Sequence, residues 1–126
     1  MHLSGITLET VYFEDYLSFL TEVLELELTE LTEISMKLDL QFGTWLEILK
    51  VPSAPHQVAS NVEFSLSKEG FEDLKSKVSF FYYRKGPSRF LFLQATDQKC
   101  EVVDPDGRIW RFKNPLTTPS MNNSQV

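Results

Sequence analysis

The chain has 126 residues, 42% of them hydrophobic and 13% aromatic, which is enough for one packed domain or two small modules sharing a core, and argues against global disorder. Its formal net charge of -6, with no basic run, argues against a nucleic-acid or anionic-membrane surface and suits a neutral or cationic partner, or solubility alone. One cysteine, Cys100, rules out an intrachain disulfide and a zinc-thiolate cluster. The opening MHLSGITLETVYFED has no apolar run, so no secretory leader is expected. No segment approaches the roughly 20 apolar residues of a membrane span. A cytoplasmic location is the default expectation.

In chain order, GITLETV alternates, with Ile6 and Leu8 against Gly5, Thr7 and Glu9, as in a half-buried strand. From Tyr12 the period changes: Phe13, Tyr16, Leu17, Leu20, Val23 and Leu24 follow helical spacing, and Glu14 and Asp15 sit where the helix dipole favours acids. LELEL then reads as a strand. ISMKLDLQF alternates cleanly up to Gly43, and TWLEILKV is a fourth strand. PSAPHQ, with two prolines, is a linker.

After the linker the order repeats. NVEFSL alternates, Ser67 is a candidate N-cap, and Phe71, Leu74 and Val78 form a helical stripe. SFFYYRK, RFLFLQ, KCEVV and RIWRF read as strands, and KNPLTTPSMNNSQV as a loose tail. Asp104-Pro105-Asp106-Gly107 suits a tight turn, making VVDPDGRIWRF a hairpin. A strand, a helix and three strands are thus written twice, with Phe13-Glu14-Asp15 recurring as Phe71-Glu72-Asp73. The expected division is a first module at 1–52, a linker at 53–59, a second module at 60–113 and a tail at 114–126.

The doubled unit, the hairpin DPDGRIW, the fourth strand FGTWLEI and the helix YLSFLTEVLEL together resemble the vicinal oxygen chelate superfamily, which includes glyoxalase I, bleomycin-resistance proteins and extradiol dioxygenases. The superfamily's usual glycine at the end of that helix is Glu25 here. The resemblance spans roughly residues 4 to 113. It implies an α+β fold of two βαβββ modules, whose strands form a curved mixed sheet, or cup, with the helices outside. It also implies a homodimer. Metal-dependent members take one ligand from the first strand and one from the fourth strand of each module. Carried over, those positions are Gly5, Glu47, Asn61 and Arg111.

These four residues are a poor metal set. A catalytic divalent site needs three or more anionic or imidazole donors and an open position. Glycine has no side chain, asparagine is a weak neutral donor, and arginine is a permanent cation. Glu47 alone is a strong ligand. His2 is three residues early for the first-strand position, and His56 lies in the linker. No metal and no cofactor are therefore expected.

Arg111 lies between Trp110 and Phe112, so alternation turns it away from the helices and into the cup. There it pairs with Glu47 or another inward carboxylate, or else it snorkels to water from an edge strand. Trp45, Glu47, Asn61, Glu63 and Arg111 are the expected ligand-binding residues, with no catalytic residue assigned. Glu9, Glu63 and Asp39 are either an acidic lining or ordinary solvated strand faces. Trp45, with Tyr82 or Tyr83, is either a ligand platform or core. Strand context makes Cys100 a buried, inert thiol. Two functions compete: a metal-independent protein that binds a small molecule in the cup, and a metal-dependent lyase, isomerase or dioxygenase. The missing ligands favour binding.

Overall fold

A computed structural model of the chain describes residues 4–41, 43–54, 61–85 and 89–114. The chain divides into two units, Met1–Val58 and Ala59–Val126. Each is a βαβββ module carrying one four-stranded mixed sheet.

In the first, β1 (Gly5–Thr10) leads into helix α1 (Phe13–Ser18), then β2 (Glu27–Leu31), β3 (Ser35–Gln41) and β4 (Thr44–Lys50). The sheet order is β1-β4-β3-β2, with β1 parallel to β4 and the other pairs antiparallel. One face buries Met36, Leu38, Leu46 and Ile48 along with Phe13, Tyr16, Phe19, Leu20 and Val23 of the helical segment. Of the expected helical stripe, Phe13, Tyr16, Leu20 and Val23 are buried, whereas Leu17 and Leu24 are half-buried. Phe19 joins the stripe because α1 continues as a π-helical stretch over Phe19–Val23, which shifts the phase of the buried face.

The strand expected at LELEL starts later, at Glu27. The helix ends in a cap that uses the residues before it: the Leu24 amide donates to the Phe19 carbonyl (3.2 Å) and the Leu26 amide to the Leu20 carbonyl (3.0 Å). This cap puts Glu25 at φ 54°, in the left-handed region that a glycine would occupy without strain.

The second unit repeats the pattern with β5 (Val62–Ser65), α2 (Lys68–Lys85), β6 (Leu91–Ala95), β7 (Lys99–Val103) and β8 (Ile109–Lys113), in the order β5-β8-β7-β6. Ser67 caps α2, its Oγ accepting from the Gly70 amide at 3.0 Å.

SFFYYRK is not a strand. It is the second half of α2, which runs unbroken to Lys85. Its aromatics have strand propensity, but Phe81 extends the stripe of Phe71, Leu74 and Val78 at helical spacing, and all four are buried. Burial of that face outweighs a preference worth at most about 1 kcal/mol. Val62, Phe90, Cys100, Val102, Trp110 and Phe112 are also buried in this module. Phe64 stacks on Phe112 and Trp110 at 5.5 and 6.1 Å between centroids.

The Asp104–Gly107 turn forms as expected, with Gly107 at φ 98° and its amide donating to the Asp104 carbonyl at 3.0 Å. Buried Asp104 accepts from the amides of Asp106 and Arg108 (both 2.9 Å), from Arg108 Nη1 (3.3 Å) and from Trp110 Nε1 (2.9 Å). One carboxylate therefore fixes the turn, the start of β8 and the rotamer of the largest core side chain. Among the described residues, no helix is long and apolar enough to cross a membrane. The loose tail expected from Lys113 onward starts later: Lys113 ends β8, and Asn114 is buried with its amide donating to the Gln98 carbonyl at 2.9 Å. His2, Phe42, His56 and residues 115–126 lie outside the described residues.

Candidate functional site

Apart from Asn61, the candidate residues sit on the sheet faces opposite the buried strand side chains. On β4, Leu46 and Ile48 are buried while Trp45 and Glu47 occupy the opposite face. Gly5 is the cross-strand partner of Trp45, and Thr7 that of Glu47. The Trp45 ring lies flat over Gly5, so closely that a Cβ added there would sit 2.1 Å from Trp45 Cδ2. The position that the resemblance assigns to a first-strand ligand is therefore covered by an indole. Lys37, on β3, places its ammonium over the same ring, 4.8 Å from the centroid. Glu47 accepts a hydrogen bond from the Thr7 hydroxyl at 3.1 Å.

In the second module, Arg111 is on β8, an interior strand between β5 and β7, not on an edge. Its cross-strand partners are Glu63 on β5 and Glu101 on β7. Nε donates to Glu101 at 2.5 Å and Nη1 to Glu63 at 3.2 Å. The carboxylates that hold Arg111 are thus two from its own module, while the bond recorded for Glu47 is to Thr7. Trp110 and Phe112 face the helix side and are buried, as alternation requires. Asn61 immediately precedes β5 and is exposed. The structure brings Glu63 and Arg111 together in one ion pair, and sets Trp45 and Glu47 on one face of β4.

Glu101 is the residue that sequence reasoning missed. Only 2% exposed, it keeps a charge inside the sheet. Gln94 on β6 also donates to it, and Lys99 lies 4.0 Å away. Burial pushes its carboxyl up, but the hydrogen bonds from Gln94 and Arg111 and the charges of Arg111 and Lys99 outweigh it. The net result lies below the usual carboxylate range. A signal was present in the alternation of KCEVV, which puts Glu101 on the opposite face from Cys100 and Val102.

Cys100 is buried, and that burial, above all, raises its thiol to about 11, so little thiolate exists near neutral pH. Tyr82 is half-buried on α2, edge-on to Phe92 at 6.0 Å, and Tyr83 is exposed. Neither stands on a sheet face with the candidate residues.

The four positions that the resemblance sets at metal ligands do not fit a divalent ion. One is taken by an indole ring, one is an exposed amide, one is a guanidinium already bound to two carboxylates, and only Glu47 is an anionic donor. Among the described residues, no three His, Cys, Asp or Glu side chains converge as a metal site would require.

Two modules of strand-helix-three strands, each ordered 1-4-3-2 with a parallel first pair, define a doubled βαβββ protein of the α+β class. No family model matches the chain, and no curated protein matches it by sequence. Solved structures do match it by shape. A fosfomycin resistance protein, FosX, from Listeria monocytogenes, in complex with Mn(II) and sulfate, is similar at a TM-score of 0.63 and 14% identity, over 90% of this chain and 89% of that one. The oxidase ChaP-H2 is similar at 0.68 and 13%, over 90% and 93%. A glyoxalase/bleomycin resistance protein/dioxygenase from Nocardioides is similar at 0.63 and 14%, over 99% and 90%. The chain has the fold of the vicinal oxygen chelate superfamily.

Proposed function

We propose that this protein is a metal-independent small-molecule-binding protein of the glyoxalase/bleomycin-resistance type. The ligand is held in the cup that the two modules are expected to form, against Trp45, Glu47, Asn61, Glu63 and Arg111. The observation that carries this reading is the replacement of metal donors by a packed indole over Gly5 and by an ion-paired Arg111. Such groups supply shape, a π-face and directed hydrogen bonds, which is what a binding site needs. They supply neither a Lewis acid nor an activated nucleophile. The same reading takes the protein as a cytoplasmic homodimer. The exposed apolar side chains of Leu91, Phe92 and Leu93 on edge strand β6 support a second copy as partner.

Native mass spectrometry of the chain purified without chelator tests the reading. The expected result is a dimer without stoichiometric metal, whose melting temperature rises with a bound small molecule whether or not chelator is present. Hemithioacetal isomerisation or catechol cleavage that grows with added divalent metal and disappears in Glu47→Gln would overturn it.

A further inference from the structure

The acidic balance of the chain suggests a cationic ligand, but the charges around Arg111 say the opposite. On the non-helix face of the second sheet, Glu63 and Glu101 are matched by three cations: Arg111, Lys113 (3.6 Å from Glu63) and Lys99 (4.0 Å from Glu101). Lys99 and Lys113 are themselves cross-strand neighbours. The cluster is net positive on a chain of net charge -6.

Its geometry is equally specific. Arg111 is fixed through Nε by buried Glu101 and through Nη1 by Glu63, which leaves Nη2, among the described residues, without a protein acceptor. The side chain is 29% exposed, so that free end is reachable. A guanidinium locked on two sides and open on the third is a pre-oriented donor, and ordering it on ligand binding has little further entropic cost.

We propose that Arg111 is an oxyanion anchor: clamped by Glu101 and Glu63, it presents Nη2 to a carboxylate or phosphate oxygen of the ligand, with Lys99 and Lys113 setting the sign of the local field. This deepens the binding reading and rests on it. Glu101 is a positioning residue that acts through Arg111.

The test titrates the full-length 15N-labelled protein with benzoate, phenyl phosphate and benzylammonium at constant ionic strength. It follows the Arg111 Nε–H resonance and the heat of binding. One or both anions should shift that resonance saturably, benzylammonium should not, and the comparison of benzoate with phenyl phosphate identifies the head group. Arg111→Lys, which keeps the charge but loses the fork, should weaken anion binding at least tenfold. Lys113→Ala, at an exposed position, should weaken it several-fold without unfolding the protein. The inference is overturned if neither anion shifts the resonance, if benzylammonium binds as well as they do, or if Arg111→Lys binds anions like the wild type. A parallel arm with Mn(II) and with chelator separates the two claims. Anion binding that requires Mn(II) sinks the metal-independent reading as well. Metal-free binding of another compound in a thermal-shift screen, without anion binding, sinks only the oxyanion anchor.

Discussion

Replacing Arg111 with glutamine should destabilise the protein in a way that reverses its response to acid. The contact with Glu63 is half in water, where such pairs contribute about 0–1 kcal/mol. The contact with Glu101 is different, because Glu101 is 2% exposed. Removing one partner of a buried pair costs about 3–5 kcal/mol, since an uncompensated charge remains. Here Gln94 still donates to the carboxylate and Lys99 stays 4.0 Å away, so the expected loss is smaller, about 2–3 kcal/mol, or roughly 10 °C in melting temperature. Glu101→Gln/Arg111→Gln should lose less than Arg111→Gln alone, because it buries no charge.

The pH dependence gives the sharper signature. In the wild type the carboxyl of Glu101 is held below its unfolded value of 4.5. Its stabilisation is therefore present above that pH and lost as pH falls through the folded value. Without Arg111, burial dominates and raises the carboxyl above the unfolded value, so the variant should gain stability as pH drops from 7 towards 5. Urea denaturation of the three proteins at pH 7, 6 and 5 measures both effects. Arg111→Gln matching the double variant at pH 7, with no gain on acidification, would refute the reasoning.

Other substitutions probe the frame that positions this face. Asp104→Asn replaces an acceptor of four hydrogen bonds with a group that turns an amide N–H₂ towards donors. It should cost about 2–3 kcal/mol in urea denaturation and shift the fluorescence of Trp110. Gly5→Ala puts a methyl group into the Trp45 ring. A loss of about 1–3 kcal/mol is expected, and a double-mutant cycle with Trp45→Ala should show that most of it is coupling between the two sites. Glu25→Gly removes a left-handed non-glycine residue at φ 54° and should stabilise by about 0.5–1 kcal/mol, read as a higher urea midpoint.

The elements were legible where period and punctuation agreed. The switch from alternation to helical spacing at Tyr12, the Ser67 cap and the DPDG turn all left local marks in the sequence. SFFYYRK was misread because its aromatics suit a strand, whereas the preceding stripe of Phe71, Leu74 and Val78 already pointed to Phe81 as the next buried helical position. Glu101 was harder to find. A four-residue turn over 104–107 would pair Val103 with Arg108 and set Arg111 opposite Cys100. In the structure Arg108 belongs to the loop, its carbonyl accepting from the Asp104 amide at 2.9 Å, and Val103 pairs with Ile109. That one extra residue sets Arg111 opposite Glu101 instead. Register of this kind depends on how the loop closes its hydrogen bonds, and a one-residue slip exchanges one face of a strand for the other.

The two sheets share a frame but not a chemistry. Across the first, the paired row runs Thr7, Glu47, Lys37 and Glu30. Across the second it runs Glu63, Arg111, Glu101 and Gln94. The acid of the fourth strand and the base of the third in one module become a base and an acid in the other. Equivalent fourth-strand side chains could serve as a pair of metal ligands only if both were donors. With a carboxylate in one and a guanidinium in the other, the same backbone offers an acceptor on one sheet and a donor on the other. The lysine of the first row lies over Trp45, whereas the arginine of the second is locked by carboxylates. On the proposed reading, the second row is the one where a ligand oxygen would meet a donor already held by two carboxylates.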